Sequence, residues 1–447
     1  MKAHFIGIGG IGISAIACIY KQKNWAVSGS DEEQSEITDS LKEMGIKVFI
    51  GHKTSNLPQK TDLVVYSEAV PKTNPELQQA KKLKIKCLAG AESLADLAKG
   101  YFLIAISGMH GKSTTASMIA QILIKAKLDP TFIIGTKPGW RLGKSKYLII
   151  EADDYKAKFL NYSPDILVLT NIEEEHMDYF QNLAHILKIF TQYCSQVKQT
   201  IVANKEDKNI RQVLKKFKVK NSKLPPKADQ PRAEKIKLYS LKDKTVMELK
   251  KILKVPGEHN VSNALAALNV ARTLGIKDEV SLKALSEFKG IWRRFQESSL
   301  KVNSPAGEQK LKIINDYAHH PTEIQATFQA LYEKYPNKKI FVIFQPHQYQ
   351  RTFYLFNDFV KIFQQAKNKF GIEKIIITDI YSVAGRESQA IKKKTSSQKL
   401  VKTIDRDFVE YVEQSKVGGY IKKNIKEIDV LTIMGAGNIY KLADELK

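Results

Sequence analysis

The sequence predicts an α/β protein of three domains, and three observations lead there. The chain runs to 447 residues, too many for one ordinary hydrophobic core. Short apolar runs of strand length alternate with amphipathic helical stretches, the pattern of parallel sheets covered by helices. That alternation restarts twice, which divides the chain into blocks at 1–98, 99–294 and 295–447.

In the first block a strand at His4–Gly7 runs through a glycine turn into a helix at Ile11–Gln22. Further strands are predicted at Trp25–Ser28, Val48–Ile50 and Leu63–Tyr66, with a helix at Ser35–Met44. The second block offers strands at Tyr101–Ile106, Tyr147–Ile150, Ile166–Thr170 and Thr200–Ala203, and an alanine-rich helix at Val261–Leu274. Between them, the Lys- and Pro-rich stretch Lys215–Pro256 breaks the alternation and is expected to form short peripheral strands and loops. The third block has four apolar strands, at Lys312–Ile314, Ile340–Phe344, Lys374–Thr378 and Asp429–Met434. Each ends in polar or glycine residues, where a parallel sheet displays its chemistry.

Composition narrows the partners. Hydrophobic content of 43% and charged content of 26% are ordinary for globular proteins and exclude disorder and collagen-like structure. The net charge of +24 comes from basic residues spread along the chain, densest from Lys205 to Lys254. No nucleic-acid-binding motif accompanies them, so nucleic acid is not an expected partner. A lysine-favouring surface is the plainest account, and anionic small-molecule ligands the next. Cys18, Cys87 and Cys194 form no CxxC pair and no metal spacing, which suggests free thiols in a reducing cytosol. The apolar run Phe5–Tyr20 is broken by glycines, unlike a signal peptide, and no other stretch is long enough to span a bilayer. A cytoplasmic protein without membrane insertion is expected.

Four motifs carry chemistry. Gly7-Ile8-Gly9-Gly10-Ile11-Gly12 is a G-x-G-x-x-G between strand and helix, where glycines let backbone N–H groups approach a pyrophosphate. Asp31 follows at the distance where an acid can bond a ribose hydroxyl. Ser107-Gly108-Met109-His110-Gly111-Lys112-Ser113-Thr114-Thr115 ends like a P-loop, in which Lys112 reaches the β- and γ-phosphates and Ser113 or Thr114 reaches Mg²⁺. Ile106 stands where the generic motif has glycine. The apolar run before Glu151-Ala152-Asp153-Asp154 places Glu151 at a strand end, the usual position of a metal-binding acid. Ile166–Thr170 leads likewise through Asn171 to His176-Met177-Asp178. Glu151, His176 and the P-loop are expected to converge on one Mg²⁺, although an imidazole is an unusual ligand for that ion.

These motifs resemble those of the Mur ligases. Gly108–Thr115 is similar to the family's G-T-H-G-K-T-T-T, with Met109 and Ser113 as departures, and Glu151–Asp154 to its E-A-D-E. Thr170-Asn171-Ile172 through His176-Met177-Asp178 is similar to T-N-I-x-x-D-H-x-D. Gly257–Ala264, Arg293-Arg294-Phe295, Asp316–Glu323, Gln345–Thr352, Thr378–Ser382 and Met434–Gly437 continue the resemblance in order. The C-terminal segments most resemble the branch that adds L-alanine to UDP-N-acetylmuramate.

The resemblance implies a Rossmann-like N-terminal domain, a P-loop ATPase-like central domain and a Rossmann-like C-terminal domain. The first would hold the UDP-sugar through Gly9, Gly10, Ile11, Gly12, Asp31 and Ser67. ATP would meet Gly108, His110, Gly111, Lys112, Ser113, Thr114, His259, Asn260, Asn263, Arg294, Asp316 and Tyr317. Mg²⁺ would take Ser113, Glu151 and His176. His319, His347 and Arg351 would hold the amino acid, Arg351 by two parallel bonds to its carboxylate. Lys112, Glu151, His176, Arg294 and His320 would be the catalytic set. Many relatives carry a further Arg where this chain has Gln348. Three other readings remain open on the sequence: a branch of the family that attaches a tripeptide, a nicotinamide-dependent oxidoreductase suggested by the first loop alone, and a non-catalytic nucleotide-binding protein.

Overall fold

A computed structural model describes residues 1–222, 235–304, 307–383 and 387–446. The chain forms two compact units. One contains Met1–Glu173, Ala184–Leu249 and Ser262–Ser286; the other contains Glu174–Leu183, Lys250–Val261 and Glu287–Lys447.

Within the first unit, β1 (Lys2–Ile6), β2 (Ala26–Asp31), β3 (Lys47–Ile50), β4 (Leu63–Tyr66) and β5 (Lys86–Ala89) make a parallel sheet in the order 3-2-1-4-5. Helices α1 (Ile11–Gln22), α2 (Glu36–Glu43), α3 (Pro75–Lys82) and α4 (Gly90–Ala98) link the strands. The chain leaves β1 in one direction and returns to its other side with β4, so the crevice beyond their carboxyl ends is a topological switch point. Glycines 7 to 12 stand at that point. The helix forms directly behind them because Ile13, Ile16, Ala17 and Tyr20 recur at helical spacing and are buried.

The same unit carries a seven-stranded sheet: β6 (Phe102–Ser107), β7 (Thr131–Ile133), β8 (Trp140–Arg141), β9 (Tyr147–Glu151), β10 (Ile166–Leu169), β11 (Thr200–Asn204) and β12 (Lys235–Tyr239). Their order is 12-11-10-6-9-7-8, and only the β7–β8 pair is antiparallel. The interiors of the central strands are fully buried, as unbroken apolar runs in parallel sheets require. Along this stretch of the chain run α5 (Lys112–Lys125), α6 (Leu183–Cys194), α7 (Lys208–Ser222), α8 (Val246–Ile252), α9 (Glu258–Thr273) and α10 (Asp278–Ser286), the start of α9 up to Val261 belonging to the second unit.

The expectation of peripheral strands and loops over Lys215–Pro256 holds for one edge strand and is corrected for the helices. Ile210, Val213, Leu214 and Phe217 fall on one face and are buried, which carries α7 on to Ser222. The stretch then supplies an edge strand, β12, and helix α8. The rest of it, residues 223–234, lies outside the described residues.

In the second unit, β13 (Gln296–Ser304), β14 (Gly307–Asp316), β15 (Ile340–Phe344), β16 (Ile372–Ile377), β17 (Val409–Tyr411) and β18 (Val430–Met434) form a sheet in the order 13-14-18-15-16-17. It is parallel except for the β13–β14 pair. Helices α11 (Pro321–Lys334), α12 (Tyr349–Tyr354) and α13 (Phe356–Phe370) follow its strands. Phe328, Phe344, Phe359, Phe363 and Phe370 interlock beneath them, each buried ring stabilising by roughly 2–3 kcal/mol. Among the described residues, no helix is long and apolar enough to cross a membrane.

Candidate functional site

The first glycine loop is tied down by the acid that follows it. Asp31 Oδ2, at the end of β2, accepts from the Gly9 N–H at 2.7 Å. Gly7 takes φ +76°, and a Cβ there would lie 2.9 Å from that of Ser67, at the end of β4. Gly10 caps α1. A Cβ on Gly12 would meet nothing within 4 Å, so that glycine answers no need of the fold itself.

Behind this loop lies a cluster that the sequence did not disclose. Glu76 is fully buried and accepts from His4 Nε2 (2.7 Å), Ser30 Oγ (2.7 Å), Asn56 Nδ2 (3.0 Å), His52 Nδ1 (3.1 Å) and the Lys53 N–H (3.2 Å). Burial works against its charge, but the bonds from His4, Ser30 and Asn56 and the charge of His4 hold its carboxyl down at about 2.

The P-loop joins β6 to α5. Gly108 and Gly111 adopt φ +131° and +81°, values that favour glycine. Thr170 and Asn171, at the end of β10, buttress the turn. Thr170 Oγ1 and Asn171 Nδ2 donate to the His110 carbonyl at 2.7 and 3.0 Å, and Asn171 Oδ1 accepts from the His110 N–H at 2.9 Å. The His110 ring pairs with Glu173. Asn263 lies under the loop, with Oδ1 2.4 Å from where a Cβ on Gly111 would stand, and it accepts from Thr115 Oγ1 at 3.2 Å.

The three carboxylates after β9 have three different partners. Glu151 Oε1 accepts from the Gly135 N–H at 2.5 Å, Asp153 pairs with Lys158 at 3.0 Å, and the fully buried Asp154 pairs with Lys112 at 2.9 Å. Parallel pairing sets Glu151 opposite Ile106, one residue short of the end of β6 and beside the P-loop. Glu151 and the Ser113 and Thr114 hydroxyls at the start of α5 are oxygen donors, the kind Mg²⁺ prefers.

In the second unit, His259 packs on Gly257 at the start of α9, and Asn260 Nδ2 donates to the Pro256 carbonyl at 2.6 Å. Burial, helped by Arg294, pushes His259 down to about 4. Asp316 accepts from the Phe295 and Ala318 N–H groups, each at 2.8 Å, and burial pushes its carboxyl up to about 6. Arg294 Nη1 lies 2.9 Å from Glu323 Oε1, with its guanidinium over the Tyr317 ring. Arg293 faces elsewhere: it donates to the Gly435 carbonyl and sits among the rings of Tyr440, Tyr317 and Trp292 at 4.3, 4.9 and 5.3 Å.

His319 Nδ1 lies 2.9 Å from the Tyr317 carbonyl, and burial pushes that ring down to about 3. His320 caps α11, its Nδ1 accepting from the Thr322 N–H at 3.3 Å. His347 stacks on Tyr381. Its Nδ1 is 3.0 Å from Arg351 Nη1.

The Arg351 fork, expected to stand ready for a substrate carboxylate, is already closed on one. Its Nε and Nη2 donate to Glu175 Oε1 at 3.1 and 2.9 Å. Both side chains are more than nine-tenths buried. Burial opposes ionisation of Glu175, but Arg351 and the nearby His176, His320 and His319 hold it well below the usual carboxylate range. A small, partly open pocket lies beside the pair, lined among others by His176, Gln348, Gln350, Arg351 and Tyr354. His176 and Gln348 have φ +56° and +71°, unusual for residues with side chains.

Three family models match in chain order: Mur ligase family, catalytic domain, over residues 2–102; Mur ligase middle domain over 106–271; and Mur ligase, glutamate ligase domain, over 294–437. The UDP-N-acetylmuramate–L-alanine ligases of Clostridium botulinum and Aquifex aeolicus are 37% and 38% identical to this chain, over 99% of it and 96% of each relative. Among solved structures, the UDP-N-acetylmuramate–alanine ligase of Thermotoga maritima is similar with a TM-score of 0.76 at 25% identity, over 100% of this chain and 98% of that one. A murein peptide ligase of Psychrobacter arcticus shares the fold, with a TM-score of 0.69 at 20% identity and the same coverage.

Proposed function

The chain belongs to the Mur ligase family, and from that premise we infer that it joins L-alanine to UDP-N-acetylmuramate with cleavage of ATP, a step in peptidoglycan precursor synthesis. The observation that carries this reading is near-full-length similarity to L-alanine ligases in a chain that retains the phosphate loop with Lys112.

The muramoyl carboxylate attacks the γ-phosphorus, ADP leaves, and an acyl phosphate forms. The amine of alanine then attacks the acyl carbon and phosphate departs. Two anions must meet in the first step, so cations that offset their repulsion carry the rate. Lys112 and the backbone N–H groups of Gly108–Thr114 take the phosphates, with Arg294 as a further cation. His259, Asn260, Asn263, Asp316 and Tyr317 frame the nucleotide. Gly9, Gly10, Ile11, Gly12, Asp31 and Ser67 bind the UDP-sugar. Ser113 and Glu151, with His176, would hold Mg²⁺, which would supply positive charge to offset that of the phosphates. His319, His347 and Arg351 receive the amino acid, and His320 assists at the amine. The assignment of these roles to 1–98, 99–294 and 295–447 as UDP-sugar, ATP and amino-acid domains, working in the cytosol, is part of the same proposal.

Phosphate release measured with UDP-N-acetylmuramate, ATP, Mg²⁺ and a panel of amino acids and tripeptide tests it. Alanine should give the fastest turnover. Faster turnover with tripeptide, or no ATP cleavage with any acceptor, would overturn the assignment.

A further inference from the structure

Arg351 and Glu175 form a buried pair of opposite charges at the wall of a cavity, 176 residues apart in the chain. Glu175 Oε1 receives Arg351 Nε, Arg351 Nη2 and, at 3.2 Å, the His176 N–H, which leaves Oε2 to His320 Nε2 at 4.0 Å. In the same wall Gln348 is 6% exposed, and its Nε2 is buried with no hydrogen-bond partner among the described residues. A buried amide left unbonded, on a backbone held at φ +71°, points to a polar ligand that it serves.

An α-amino acid is a zwitterion, and a guanidinium beside a carboxylate is its electrostatic complement. We propose that Glu175 is the residue that receives the α-ammonium group of the amino-acid substrate, which enters the cavity by separating Glu175 from Arg351. The substrate carboxylate then takes the Arg351 fork and the Gln348 amide, while its ammonium takes the carboxylate Arg351 has released. Each buried charge exchanges one partner for another of the same sign. A ligand with a single charge would instead strand one member of the pair, which is costly in a buried site. The site therefore selects for both charges at once. This inference rests on the ligase reading and adds a residue to it.

Glu175→Gln should lower kcat/KM for L-alanine by at least about 30-fold, the loss of one charged hydrogen bond. KM for ATP and for UDP-N-acetylmuramate should stay within about threefold. Glu175→Asp should recover part of the loss. An equal fall for all three substrates, or none, would overturn the proposal. The wild-type protein gives a second test that no folding defect can confuse. Propionate and ethylamine, each carrying one of alanine's charges, should inhibit at least about 30-fold more weakly than alanine binds; inhibition by either near the alanine KM would overturn it. Wild-type turnover judges the ligase reading, whereas the variant ratios and single-charge inhibitors judge Glu175.

Discussion

Asp154 Oδ1 accepts a hydrogen bond from Lys112 Nζ at 2.9 Å, while the same ammonium donates to the Gly108 carbonyl at 2.6 Å. The cation of the phosphate loop is thus fixed across the turn that it serves. Burial alone would push Lys112 down, but Asp154, Asp153 and Glu151 outweigh it and raise the group above its ordinary value. It stays an ammonium throughout the range in which the enzyme works.

Lys112→Ala is expected to lower turnover by a factor on the order of 10²–10³ or more, while calorimetry still shows UDP-N-acetylmuramate binding. Loss of both would mean the two sites are not separate. Asp154→Asn removes the leading influence that raises Lys112, so the alkaline limb of the rate profile should move to lower pH. A limb that does not move would rule out this electrostatic role.

Gly108→Ala and Gly12→Ala should behave oppositely. A Cβ on Gly108 would stand 2.2 Å from Thr170 Oγ1 and 2.8 Å from the Asn171 carbonyl oxygen, at φ +131°. Backbone strain alone costs about 1–3 kcal/mol there, and urea denaturation should show it. Gly12 sits in α1 with open space beside it. Alanine there should keep or raise stability, by up to about 1 kcal/mol, yet weaken UDP-sugar binding if that space belongs to the ligand.

Glu76 gives a signed pH dependence. Its folded value of about 2 lies below the ordinary 4.5, so its contribution is fully present above about pH 4.5 and is lost as pH falls towards 2. The linkage amounts to roughly 3 kcal/mol at neutral pH. Glu76→Gln should flatten the acid side of the stability curve measured by denaturant titration, and a curve as steep as wild type would refute the assignment.

Asp316 has the opposite sign. Its folded value of about 6 lies above the ordinary 3.8, so its contribution is favourable at low pH and is lost as pH rises through about 6. If the ionised form serves the nucleotide, kcat/KM for ATP should fall below about pH 6 and the limb should vanish in Asp316→Asn. His259 and His319, pushed down to about 4 and 3, are neutral there and should leave that limb in place when replaced.

The site-bearing strands were legible because each is an unbroken apolar run ending in glycines or acids, as in Leu103–Ser107 and Leu148–Glu151. The helix at Ile11–Gln22 came out at its predicted bounds because a glycine turn marks its start and buried positions mark its face. Strands β5, β7, β8, β12, β13 and β17 were not read from the sequence. They are short, or at sheet edges, or alternate lysines with apolar residues as in Lys235–Tyr239, so pairing with neighbours decides them rather than local pattern. The P-loop glycines and Lys112 announced themselves by spacing. Glu76 did not, and neither did the pairing of Glu175 with Arg351, because a carboxylate's partners at distances of 72 and 176 residues leave no local trace.

The adjacent residues Arg293 and Arg294 look interchangeable as letters. With Arg293 at φ +56° the backbone turns between them, sending one guanidinium into a nest of aromatic rings and the other to an acid on a neighbouring helix. The first is a rivet and the second a tool. A flat, delocalised cation suits the rivet and a compact ammonium does not, so exchange to lysine should loosen the frame at one position while merely blunting the instrument at the next.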